Sequence, residues 1–153
     1  MGYAGYNDKT IANHLLNLAK KNGWRVENNS FERELLHDET FHSVSVSRPD
    51  EGRAKDDYNS ISAYLRPEKI LLDINGFGFE SDSVERQMKL IDLLFKSEIK
   101  VRRYQKKRLN PFKINIVFEQ ILKHNNKQIV LTRWDSELKN GLKTEDLLAQ
   151  LGS

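Results

Sequence analysis

The sequence contains no cysteine, which excludes disulfide scaffolds, thiolate metal sites and thiol redox chemistry together. Apolar residues never run for more than three in succession, as in Ile70-Leu71-Leu72, Leu93-Leu94-Phe95 and Ile129-Val130-Leu131, so no segment is long enough to cross a bilayer as a helix. Three prolines and eight glycines among 153 residues exclude collagen-like and low-complexity chains. The first six residues, Met1-Gly2-Tyr3-Ala4-Gly5-Tyr6, lack the apolar stretch of a secretory leader, and Tyr6 stands where a myristoylation pattern requires Ser or Thr. A cytoplasmic protein with no membrane partner is the expectation. Also missing are a G-x-S-x-G elbow, a P-loop and a dinucleotide fingerprint; Gly76-Phe77-Gly78-Phe79 has aromatic rings where a pyrophosphate needs close approach.

What is present is enough to fold. Hydrophobic residues make up 38% and charged residues 31% of the chain, the balance of one globular domain with an adequate core. The net charge of +3 hides an asymmetry. Residues 1–99 carry 13 basic against 17 acidic side chains, or −4, whereas residues 100–153 carry 12 against 5, or +7. Between Lys100 and Arg133 ten cations face Glu119 alone, a charge of +9 in 34 residues. Six of those cations fall within nine positions, at Lys100, Arg102, Arg103, Lys106, Lys107 and Arg108. Like charges this close repel unless water or a polyanion screens them.

The hydrophobic pattern predicts an α+β fold. Residues 7–23 read as an amphipathic helix with the stripe Ile11, Leu15, Leu18 and Ala19, capped by Asn7 or Asp8 and ended by Gly23. Short strands are expected at residues 24–27, 41–47 and 61–65; residues 31–38 fit either a strand or a single turn of helix, with the strand preferred. Arg66-Pro67-Glu68-Lys69 is a tight-turn sequence that returns the chain into a strand at residues 70–75. Asn75-Gly76 supplies a second turn. Beyond it Asp82 and Glu85 form a capping box for a helix whose stripe is Val84, Met88, Ile91 and Phe95, widened by Leu94. The sheet is expected to be mainly antiparallel, with one long helix on each side of the strand block.

Residues 100–153 read as a basic extension packed on a core formed by residues 1–99. Residues 110–124 fit both a helical and an alternating period; a β-hairpin over 113–123 and 128–134 is preferred, because Asn125-Asn126 is a turn signal. Thr144 then caps a short final helix to Leu151. The order helix, strands, helix over the first hundred residues, with Gly76-Phe77-Gly78 before the second helix, resembles double-stranded-RNA-binding domains. Those domains grip phosphates with a basic start to their second helix, whereas here Glu80, Asp82 and Glu85 fill that region. The likeness is therefore one of common topology.

Candidate chemistry is sparse. His37-Asp38-Glu39 and His42 collect four potential metal ligands, but H-x4-H puts the two imidazoles on opposite faces of a strand and off one face of a helix. A polar turn is the simpler reading. Asp73 interrupts the apolar Ile70-Leu71-Leu72-Asp73-Ile74; it could present a carboxylate to Mg²⁺ with Glu80 or Glu34, as metal-dependent nucleases do, or face solvent near Lys69 or Arg66. In the strands expected here no lysine stands two residues beyond a carboxylate, so the solvent-facing reading is preferred. No catalytic residue, metal site or cofactor is expected, and the chain reads as non-enzymatic.

The basic segment carries the leading expectation: a nucleic-acid-binding protein, of DNA or RNA, that contacts phosphates through Lys100, Arg102, Arg103, Lys106, Lys107, Arg108 and Lys113, with Tyr104 among them for stacking. If helical, the segment places Lys100, Arg103 and Lys107 together; if extended, Arg102 and Tyr104 oppose Val101 and Arg103. Phe112 and Trp134 lie nearby and read as core. The rival expectation is an inhibitor or adaptor that docks on an acidic or nucleic-acid-binding protein surface. Abundant Lys, Asn and Ile with scarce Ala and Pro fit an AT-rich genome, and a phage-encoded inhibitor of a host defence nuclease would match. Oligomeric state is not legible.

Overall fold

The structure, a computed structural model, describes residues 9–32, 42–49, 60–66, 69–107, 114–134 and 139–152. Among the described residues three helices and nine strands make an α+β fold, mostly antiparallel. Helix α1 (Thr10–Lys21) leads through β1 (Arg25–Asn29) and a 3-10 turn (Ser30–Glu32) to β2 (His42–Ser47), β3 (Ser60–Leu65), β4 (Ile70–Ile74) and β5 (Phe77–Ser81). Helix α2 (Val84–Lys96) precedes β6 (Glu98–Lys107), β7 (Ile114–His124) and β8 (Lys127–Trp134), and the chain returns through β9 (Lys139–Lys143) to α3 (Thr144–Leu151). One sheet has the order β1-β2-β3-β4-β5-β9, and a second the order β6-β7-β8.

Turn chemistry sets the register of the first sheet. The Arg66 N–H donates to the Lys69 carbonyl at 3.1 Å, closing the β3–β4 turn. Asn75 at φ 54° and Gly76 at φ 91° supply the left-handed pair that a two-residue hairpin needs, joining β4 to β5. The register then stacks Val44, Ala63, Leu72 and Phe79 in one row and Val46, Ile61, Ile74 and Phe77 in the next, all buried. On this face lie Ile11, Leu15 and Ala19 of α1 and Leu90, Ile91 and Leu94 of α2. The two long helices, which bracket the strand block in sequence, thus share one face of the sheet and touch each other, with His14 Nε2 2.7 Å from Asp92 Oδ1. The opposite face is polar, with Ser43, Ser45, Ser62, Tyr64, Asp73 and Glu80 alternating against the core positions.

Several local expectations are corrected. Phe31 and Glu32 lie in the 3-10 turn instead of a strand, because the Asn29 side chain accepts from the Phe31 N–H at 3.1 Å and bends the chain. Helix α2 is capped by Ser83, whose Oγ accepts from the Arg86 N–H at 3.2 Å, in place of Asp82. Thr144 opens α3 without capping it; its hydroxyl donates to Gln87 Oε1 at 2.8 Å. Three strands were not foreseen: β5; β6, over a segment that fits helix or extended chain, which makes the expected hairpin a three-stranded sheet; and β9, which pairs with β5 in parallel. Asn7, Asp8, Pro67, Glu68 and residues 33–38 lie outside the described residues.

The second sheet joins the first at the β4–β5 turn. Asn75 Nδ2 donates to Gln120 Oε1 at 2.8 Å, and the Arg133 guanidinium lies 4.3 Å from the Phe118 ring centre and 5.8 Å from that of Phe77. Gly76 is favoured by its backbone angle, and a Cβ there would sit 2.7 Å from Arg133 Nη2 and displace the guanidinium. Ile99 and Leu122 of the second sheet and Leu147 and Leu151 of α3 belong to the same buried cluster as the first sheet.

Candidate nucleic-acid interface

The basic segment is extended, because β6 pairs with β7 residue for residue from Glu98 opposite Lys123 to Lys107 opposite Ile114. Alternation then divides its side chains between two faces. Ile99, Val101 and Arg103 fall in rows with Leu122 and Ile129, with Gln120 and Leu131, and with Phe118 and Arg133. This face turns toward the core, as the burial of Ile99, Gln120 and Leu122 shows. The outward face carries three further rows: Lys100, Ile121 and Val130; Arg102, Glu119 and Thr132; Tyr104, Val117 and Trp134.

Tyr104, 42% exposed, is the one aromatic side chain in the exposed class among the described residues. Arg102 and Arg103 are exposed as well, with the Arg103 guanidinium 6.0 Å from the Phe118 ring centre on the other face. Lys100 Nζ lies 3.3 Å from Glu98 Oε1, a pair of two largely solvated groups. Glu98 and Glu119 offset most of the charge of Lys100, Arg102 and Lys123 on the outward face. Lys106 and Lys107 continue the strand beyond these residues. Arg108, Phe112 and Lys113 lie outside the described residues.

The strand geometry thus brings Lys100, Arg102 and Tyr104 onto one face and sets Arg103 on the other. Sequence reading missed Ile121 and Val130 as members of the same outward surface, and placed Trp134 in the core, whereas it is partly buried in the Tyr104 row beside Val117, which is covered. Alternation within residues 114–134 carries that information only once the pairing is known.

The other candidates have local partners. Asp73 stands on the polar face of the first sheet, and its Oδ1 accepts from the Gly76 N–H at 2.9 Å, closing the β4–β5 turn. Glu80 takes Lys69 Nζ at 2.9 Å and Lys143 Nζ at 3.2 Å on its two oxygens. The Lys69 bond first and the Lys143 bond second hold its carboxyl below the usual carboxylate range. Glu34, His37, Asp38 and Glu39 lie outside the described residues. His42 is buried, stacked on Phe31 with ring centres 3.9 Å apart, and its Nδ1 is 2.9 Å from Ser30 Oγ. That oxygen also accepts from the Ser43 N–H at 2.8 Å, and Ser30 is 1% exposed, which makes the Ser–His contact a structural brace.

Among the described residues no helix is long and apolar enough to cross a membrane. No protein-family model, curated protein or solved structure matches the chain.

Proposed function

We propose that the protein binds nucleic acid, without breaking it down, through the basic arm built on β6. Lys100, Arg102, Arg103, Lys106, Lys107, Arg108 and Lys113 supply phosphate contacts, and Tyr104 lies among them. The observation that carries this reading is the concentration of +9 in residues 100–133, the same residues that build the second sheet, while residues 1–99 are net acidic. Uniform tuning for solubility gives no reason for that division. A strand with cations on both faces can neutralise phosphates at a sheet edge, where counterion release supplies the affinity.

Fluorescence anisotropy of labelled DNA and RNA across a salt series tests it. About six phosphate contacts give a log–log slope of roughly −5 on duplex DNA. Alanine at Arg102, Arg103, Lys106 and Lys107 is expected to weaken binding to every sequence and to flatten that slope. Unchanged affinity in this variant, or no binding at low salt, removes the proposal. Recovery of a stoichiometric, nuclease-resistant protein partner in its place would transfer the basic arm to an acidic protein surface.

A further inference from the structure

We propose that the outward face of the second sheet selects single-stranded over double-stranded nucleic acid, stacking an unpaired base on Tyr104 beside Arg102. The inference rests on the nucleic-acid reading and specifies its ligand. Burial normally claims aromatic rings, and in this fold Phe77 and Phe79 are buried while Trp24, Phe31, Phe95 and Phe118 are partly buried. Tyr104 departs from that pattern, and it does so inside the densest run of cations.

Its neighbours make the exposure usable. Across the ladder Tyr104 is opposite Val117, which is opposite Trp134, so two aromatic residues flank a buried valine at strand spacings of about 4.8 Å. Along β6, Arg102 and Lys100 occupy the same face at steps of about 6.7 Å. Glu119 lies opposite Arg102 in the middle strand, which disfavours phosphate over the sheet centre and directs the backbone along the β6 edge, with a base turned inward onto Tyr104. Val117 is covered and Trp134 partly so, which leaves Tyr104, at the sheet edge, as the exposed ring of this row that reaches the π-face of an unpaired base. In a duplex such faces are covered by the neighbouring pairs, and only the phosphate contacts remain.

The test is anisotropy with labelled oligothymidylate and a DNA duplex of equal length, at one low salt concentration, on the full chain. Wild type is expected to prefer the single strand. Tyr104→Ala is expected to lose on the order of tenfold in single-strand affinity with duplex affinity unchanged, and Tyr104→Phe to retain the wild-type value. Circular dichroism of both variants verifies that the exposed position leaves the fold intact. Equal affinity for the two probes, an equal loss on both in Tyr104→Ala, or no loss on the single strand overturns the inference. If Arg102→Ala and Arg103→Ala still weaken both probes in those cases, the phosphate reading stands and only the stacking fails. Failure of wild type to bind either probe overturns both.

Discussion

At the scale of single residues, Glu80 illustrates how a charge on an open sheet face becomes structural. It sits on β5 with its side chain 19% exposed and takes one lysine from the start of β4 and another from the end of β9. The two hydrogen bonds, that of Lys69 first, favour the ionised form, so its folded pKa lies below its unfolded value. A lowered folded pKa means stability that is fully present above the unfolded pKa and lost as pH falls through the folded one. Because Lys69 and Lys143 are themselves 43% and 55% exposed, Glu80→Gln is expected to cost about 1 kcal/mol at neutral pH. Urea denaturation of both proteins at pH 7 and below pH 3 measures this: the difference should disappear in acid. A difference that persists there would mean that Glu80 acts through packing instead of charge.

At the scale of elements, what holds the helices to the first sheet is partly polar. Gln87 of α2 is fully buried; its Nε2 donates to the Ile70 and Phe79 carbonyls at 2.8 and 3.2 Å, and its Oε1 accepts from Thr144 Oγ1. One amide thereby links α2 to β4, β5 and α3. Gln87→Leu keeps the volume and leaves the Thr144 hydroxyl and two strand carbonyls short of a partner, so a loss of about 2–3 kcal/mol is expected in equilibrium unfolding. A neutral result would show that water replaces the amide. This residue also marks where sequence reading stops. Counting apolar residues assigned Val84, Met88 and Phe95 to the buried stripe, yet they are only partly buried while Gln87 is wholly so, because satisfying strand carbonyls outweighs hydrophobicity at that position. Local signals were readable: Asn75-Gly76 and Asn125 take the positive φ angles of their turns, and Ile61, Ala63 and Leu65 alternate as a strand should. Pairings distant in sequence were not, so β9 beside β5 went unseen. The basic segment could not be assigned to a face until its ladder with β7 was known.

At the scale of the whole molecule, the two sheets carry different burdens. The first buries a row-by-row apolar face under three helices, while the second presents a mixed aromatic and cationic surface outward. They are nevertheless joined by one buried cluster: Ile99 and Leu122 pack with Leu90, Ile91 and the core strands, and Asn75–Gln120 and the Arg133 stack fix the junction. A contiguous core couples the stability of its parts, since neither sheet can expose its side of the cluster without stripping contacts from the other. Residues 1–99 and 100–153 are therefore expected to unfold together despite their opposite charge. Leu122→Ala removes a fully buried side chain from the second sheet and should cost about 2–5 kcal/mol. The decisive observation is the shape of the transition. Far-ultraviolet circular dichroism and tryptophan fluorescence, with Trp24 beside Phe95 at the first sheet and Trp134 on the second, should report the same shifted midpoint in wild type and variant. Separate midpoints, with Trp134 released first, would make the basic sheet an independent unit, and the acidic sheet would then be expected to fold without it.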